Sequence, residues 1–258
     1  MGDVNGMILV GGAVFLRAGA FFAFVPFTGR PVPVFVRVAL ALFMAIVALT
    51  TLPRMSVPEG PLLSLLPLVL VEALIGLAMA FAVQKIFIIC QIAGIMIAQE
   101  IGLMQGGVFN PLLGQQESLV GSGMNLLAIV LLFSLGLHRE VISAFLESLR
   151  LLPPMNILGS GAAEEVLKTL SRLFLSAVQM AAPFIAMNFI VVLAFGVLGR
   201  AAPAINVLFV SFPVRLLVGL LLLAALTPFL GRQILMHLQN VPGDMIRLIN
   251  VEHNGRAE

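Results

Sequence analysis

Long apolar runs, separated by short polar or proline–glycine breaks, make up almost the whole chain. At about 1.5 Å per residue, a helix of roughly 20 apolar residues crosses the ~30 Å hydrocarbon core of a bilayer. Met7–Phe27 is the first such run, with Arg17 at its middle. At that depth a guanidinium cannot snorkel to either surface, so Arg17 is expected to face protein or water. Thr28-Gly29-Arg30-Pro31 predicts a tight turn. Pro26 lies at its entrance, and Pro31 and Pro33 stop one helix and restart the next. Val34–Leu52 follows with Arg37 near its start, and residues 1–53 read as a helical hairpin.

Beyond the break at Pro53–Pro61, Leu62–Met104 has no strong stop signal, only Gly76 and Gln84-Lys85 as weak points. Pro67 predicts a kink, and Glu72 lies at mid-depth. A straight helix over this run would be about 65 Å long, twice a membrane core, so a strongly bent helix or a hairpin is expected. Gln99–Gly123 interrupts the pattern with six glycines, a proline, amides and glutamates around Phe109. Irregular backbone of this kind cannot face lipid, and a loop of this length is as a rule either functional or disordered. Met124–Leu137 is apolar again, closed by His138-Arg139-Glu140. Val141–Leu152 is amphipathic, with Val141, Phe145, Leu149 and Leu152 on one face. Ala162–Arg172 opens a helix with Glu164 and Glu165 at its start; it continues to Leu198 with a kink at Pro183. Leu198–Pro203, containing Gly199 and Arg200, predicts a second turn. Ile205–Leu230 carries Arg215 and is expected to break at Pro213 and Pro228, before a polar, mildly amphipathic tail.

These elements predict an all-α integral membrane protein of kinked helical hairpins, with six to seven apolar helices and no soluble domain. The expected organisation is one domain, 1–258: the N-terminal hairpin 1–53, middle helices 62–137, a C-terminal hairpin 163–235 and a tail 236–258. Composition agrees: 60% of residues are hydrophobic and 10% charged, with mean hydropathy +1.13, against roughly 25% charged in soluble domains. The net charge of +2 comes with no dense basic cluster, which argues against nucleic acid as a partner. Arg30, Arg54, Arg139, Arg200 and Arg232 fall in successive breaks, too evenly to orient the chain. With 19 Phe but no Trp or Tyr, the usual interfacial belt is missing. The start, MGDVNGM, has no basic region, so the first apolar segment is expected to stay as an uncleaved anchor.

Little chemistry is written into these residues. There is no phosphate-cradling G-x-x-x-x-G-K-[ST], and only Lys85 and Lys168 are lysines. Asp occurs only at 3 and 244, and His138, His237 and His253 include no i, i+4 pair, so no metal or cofactor is expected. Cys90 alone can form neither an intrachain disulfide nor a thiolate site. Ser122 with His138 could be read as a hydrolase dyad, but small residues flanking a helix are the plainer account. Glu72, Glu100, Arg17 and Arg215 allow two readings. One is an intramembrane charge pathway of a secondary transporter or proton channel. The other is a set of buried ion pairs, and which acid meets which arginine is not readable from spacing. No internal repeat of the kind transporters show is visible in the hydropathy.

Three stretches carry a family likeness: RAGAFFAFVPF–TGRPVP–VFVRVALAL, GLMQGGVFNP and LGRAAPAINVLFVSFPVRLLVGLLLL. In order and spacing they resemble the FliR family, the flagellar export-gate subunit of bacterial type III secretion, homologous to the injectisome subunit SctT. SFPVRLLVGL is closer to the flagellar form. The resemblance implies a non-enzymatic pore subunit in the bacterial inner membrane at the flagellar basal body. Its implied partners are FliP and FliQ, a neighbouring FlhB-type subunit, membrane lipid and unfolded export substrates. It also implies that helices of the assembly need not span the bilayer conventionally. The family's pore plug maps onto 105–121, with Gly106, Gly107, Val108, Phe109, Asn110, Pro111, Leu112, Leu113 and Gly114 as its residues. Pro26, Pro31, Gly199, Arg200, Pro203 and Pro213 are the implied turns and kinks, and Arg17, Arg37, Glu72, Glu100 and Arg215 the buried charges. Two departures stand out: Asn110 where the family often has Asp, and Ala204 where it often has Gln.

Overall fold

Inside hydrocarbon each backbone amide must be paired within its own segment, which makes helix the outcome for apolar runs. A computed structural model describes residues 2–26, 32–51, 66–104, 118–154, 162–202 and 206–249. Among them are seven helices and no strand: α1 Gly2–Phe24, α2 Val34–Thr51, α3 Leu66–Glu100, α4 Leu119–Ser134, α5 Leu137–Leu151, α6 Ala162–Ala201 and α7 Val207–Ile249. Three stretches are long and apolar enough to cross a membrane: Val69–Glu100, Leu167–Ala201 and Phe209–Leu248. A fourth exists if α4 and α5 count as one broken span. The described residues are all-α and belong to a membrane protein, with no soluble domain among them.

Several boundaries differ from the sequence reading, each for a local reason. α1 ends at Phe24 rather than Phe27: the Val25 amide donates to the Phe21 carbonyl at 3.1 Å, and Pro26 has no amide to continue. α2 starts on Pro33, whose carbonyl accepts from the amides of Val36 and Arg37. Of the bent helix or hairpin expected within Leu62–Met104, the hairpin does not form: Leu66–Glu100 is one continuous helix, α3. Gly76 does not break it because the glycine serves close packing: a Cβ there would overlap the Arg17 carbonyl. The end of α3 is a Schellman turn, with Gly102 at φ 87, Gly102 N–H bonded to the Gln99 carbonyl and Leu103 N–H to that of Ala98.

The irregular stretch is shorter than Gln99–Gly123. Gln99 and Glu100 belong to α3, and Leu119–Gly123 are already helical in α4. Ser118 caps α4, its Oγ accepting from the Gly121 amide at 3.1 Å. His138-Arg139-Glu140 do not close α4 but form the first turn of α5, where Glu140 suits the helix dipole. The break falls at Gly136, held at φ 71, a left-handed value that a side chain resists. Gly199 and Arg200 lie in the last turn of α6 rather than in a loop. α7 is not broken at Pro213 or Pro228 and runs through the expected tail to Ile249. A buried stripe of Leu230, Ile234, Leu238, Val241, Met245 and Leu248 recurs at helical spacing and explains the continuation. Next to Pro228, Thr227 Oγ donates to the Leu223 carbonyl at 2.8 Å.

The chain divides into two compact units. Unit 1 contains Met1–Lys85, Leu132–Leu170 and Leu238–Glu258. Its core draws Val14, Ala18 and Phe21 from α1, Ala41 and Ala45 from α2 and Ile75, Met79 and Val83 from α3. Val141, Phe145 and Leu149 of α5 and Val241 and Met245 of α7 complete it. The rings of Phe21 and Phe145 lie 5.0 Å apart at its centre. Unit 2 contains Ile86–Leu131 and Ser171–His237. Its close contacts are made by glycines: a Cβ on Gly94 would overlap the Gly121 backbone, and one on Gly219 would overlap Ile101.

Candidate functional site

In unit 1 the charge at the middle of α1 is fully enclosed. Arg17 Nε donates to Glu72 Oε2 at 2.6 Å, and both side chains are at 0% exposure. Arg17 Nη1 donates to the carbonyls of Leu152 at 3.0 Å and Ser148 at 3.4 Å. Those carbonyls close α5, whose C-terminal dipole favours a cation. A buried ion pair is best tolerated when further hydrogen bonds satisfy it; the end of α5 supplies two, while Arg17 Nη2 stays buried without a partner. Gly76, one turn after Glu72, lets α3 approach α1 closely enough for the pair to form. Arg17 thus joins three helices of unit 1.

Unit 1 holds a second pair, Lys85 Nζ with Asp244 Oδ2, joining α3 to the C-terminal part of α7. Spacing alone missed it, because Asp244 was placed in the tail; the signal was the apolar stripe that carries α7 past Leu230. Arg37 donates from Nε and Nη2 to the Val32 carbonyl at 3.2 and 2.9 Å, tying α2 to the segment before it.

Unit 2 surrounds the ends of the glycine-rich segment. Glu100, at the end of α3, accepts from Asn188 Nδ2 of α6. Gly102 faces α7: a Cβ there would lie 3.3 Å from the Phe212 ring and 3.8 Å from Arg215 Cδ. Arg215 Nε is buried without a hydrogen-bond partner, and among the described residues no carboxylate pairs with this side chain. On the other side of the segment, Ser118 Oγ donates to the Gly94 carbonyl at 2.9 Å, and Asn125 Nδ2 donates to Gln91 Oε1 at 2.9 Å. Later positions of α3 meet earlier positions of α4, so the two helices run antiparallel and their ends are fastened together. Asn125 and Asn188 were legible only as lone amides in apolar runs.

Gly106, Gly107, Val108, Phe109, Asn110, Pro111, Leu112, Leu113 and Gly114 lie outside the described residues, as do Pro31 and Pro203. Pro26 follows α1, and Pro213 is inside α7 one turn past Phe209. Arg200 is exposed at the C-terminal end of α6. Among the described residues no group of three His, Cys, Asp or Glu side chains could hold a metal ion, and Cys90 is a buried free thiol.

Residues 8–241 match the family described as Bacterial export proteins, family 1. The Flagellar biosynthetic protein FliR of Bacillus subtilis (strain 168) is 29% identical over 218 residues, covering 81% of this chain and 83% of its own. That of Escherichia coli (strain K12) is 30% identical over 206 residues, covering 78% and 77%. That of Caulobacter vibrioides (strain ATCC 19089 / CIP 103742 / CB 15) is 30% identical over 227 residues, covering 84% and 88%.

Proposed function

Since the chain belongs to the bacterial export proteins, family 1, we propose that this flagellar export component of the membrane acts as a structural pore subunit. It assembles with FliP- and FliQ-type subunits beside an FlhB-type neighbour, in the bacterial inner membrane at the basal body. Unfolded flagellar substrates pass through the assembly, and the whole chain 1–258 serves as one export-gate component. Within the stretch 105–121, the part before the Ser118 cap, 105–117, plugs the pore, with Phe109, Leu112 and Leu113 as its bulk. The role is mechanical, and the energy for export comes from other components.

One observation carries this reading: both ends of the segment are fastened. α3 stops in a Schellman turn, α4 starts on the Ser118 cap, and Ser118, Gly94, Gly121, Gln91 and Asn125 lock the two helices together. A plug needs such posts, because substrate must displace the segment without pulling the helices apart. The rival charge-pathway reading gains nothing from Glu72, whose carboxylate is held by Arg17 at full burial.

Shortening the chain within 105–117 tests the plug. The expected result is a leak of ions and small solutes through membranes carrying the assembled gate, with assembly itself intact. Unchanged conductance in those membranes would refute the plug.

A further inference from the structure

Polar side chains from three helices of unit 2 meet at the end of α3. Glu100, the last residue of α3, accepts from Asn188 Nδ2 of α6. Two residues on, Gly102 at φ 87 lies beside α7, where a Cβ would be 3.8 Å from Arg215 Cδ. Consecutive Cα atoms are about 3.8 Å apart, so those of Glu100 and Gly102 are within about 7.6 Å of each other. The Glu100 side chain and the guanidinium beyond Arg215 Cδ together cover that interval. One carboxylate thus has two partners within reach, an amide on α6 and a cation on α7.

Neither partner is fully satisfied. Asn188 Oδ1 and Arg215 Nε are both buried without a hydrogen-bond partner. Buried polar atoms are rarely left unpaired, and two beside one turn need a physical reason. With Glu100 on Asn188, Arg215 lacks an acceptor. With Glu100 on Arg215, the cation gains a charge-assisted hydrogen bond and Asn188 loses its own. Each arrangement leaves one group unsatisfied, which keeps the two close in free energy, as a two-state element requires. The backbone around them is held. Gly219 lets α7 close on Ile101, whose Cγ2 a Cβ there would overlap, and the Phe212 ring covers Gly102. The side chain of Glu100 and the left-handed turn after it are therefore the parts free to rearrange.

We propose that Glu100 exchanges between Asn188 and Arg215, and that this exchange is a switch of the gate. The Asn188 form holds the turn at rest, and the Arg215 form accompanies opening. The inference rests on the plug reading, because 105–117 leaves α3 directly after this turn; it names the side chains that set where that segment starts.

The test reads resting ion leak and export of an unfolded substrate separately, in membranes carrying the assembled gate. N188L removes the resting partner. It should raise the leak roughly tenfold, the scale of one hydrogen bond to a charged group, with export retained. R215M removes the other partner. It should lower export by a similar factor and leave the leak at the wild-type level, and R215K should retain export. Locked forms decide the matter where a single variant fails to assemble. In a C90A background, oxidising E100C/N188C to a disulfide should block export. Oxidising E100C/R215C should open the leak and let export continue, and a reductant should reverse both.

Three outcomes would overturn the exchange. One is N188L and R215M moving leak and export in the same direction, as a purely structural clasp would. Another is an E100C/R215C pair that never cross-links, even with a substrate halted in the pore by fusion to a stably folded protein. The third is a pair of locked gates that behave like their reduced forms. All three leave the plug standing. A shortened 105–117 that gives no leak, while the two locks still oppose each other in export, would instead remove the plug and leave the exchange.

Discussion

Arg17 and Arg215 sit in apolar helices of the same chain and meet opposite surroundings. Arg17 has Glu72 at 2.6 Å and two carbonyls from the end of α5, and nothing of it reaches the surface. Arg215 is half-buried beside the end of α3 with no carboxylate paired to it among the described residues, and each arginine keeps one buried nitrogen without a partner, Nη2 in Arg17 and Nε in Arg215. The helices show the same contrast. In the most apolar window of α3, 56% of positions are buried within the chain, against 17% for α6 and 6% for α7. Unit 1 encloses its central ion pair, while the apolar stretches of α6 and α7 leave most of their surface bare.

The comparison breaks most sharply at Arg17. R17M should destabilise unit 1 by about 3–5 kcal/mol, because it leaves Glu72 buried and alone. The double variant R17M/E72M should recover most of that loss. Unfolding of the detergent-solubilised protein, followed by protease sensitivity, checks both. If the double variant were as unstable as the single one, the pair would not be what holds the charge.

A second prediction asks whether bare also means loose. Adding a methyl at Gly76 in unit 1 or at Gly94 in unit 2 drives a Cβ into backbone in both cases. G76A and G94A should each cost about 1–3 kcal/mol, as overpacking does. G12A and G123A, where nothing lies within 4 Å, should stay within about 0.5 kcal/mol of wild type. A mild G94A beside a severe G76A would show unit 2 to be loosely packed inside as well as open outside.

The smallest effect is expected at the cap. S118A removes the acceptor for the Gly121 amide and should cost about 0.5–2 kcal/mol. Faster hydrogen exchange confined to the amides of Leu119–Gly123 is the expected signature; exchange spread along all of α4 would mean that Ser118 does more than start the helix.

Element type was easy to read, because apolar runs of this length leave the backbone no other way to satisfy its amides. Boundaries were harder where a glycine or proline had two physical uses. Gly76, Gly94 and Gly121 look like freedom in a sequence and act as close contacts in space. Pro213 and Pro228 look like stops, yet α7 continues, since the buried stripe beyond Leu230 outweighs the lost hydrogen bonds. Gly102 was a readable stop, as glycine just past a helix commonly adopts the left-handed cap. The depth of Arg17 and Glu72 was legible, but their pairing was not: it depends on how α1 and α3 are rotated against each other, which no spacing along one helix encodes. Asp244 was misplaced for the same reason, because its partner Lys85 lies 159 positions away.

That separation has a consequence for how the protein is made. Unit 1 contains the first residues of the chain, yet Val241, Met245 and Leu248 belong to its core, and Asp244 closes on Lys85. At ~5–20 residues per second, the ribosome needs on the order of ten seconds to travel from Lys85 to Asp244. Unit 2 ends at His237 and is available in full before that point. The half of the protein synthesised first is thus the last to be finished, and a premature stop at or before Val241 would remove the keystone of its beginning.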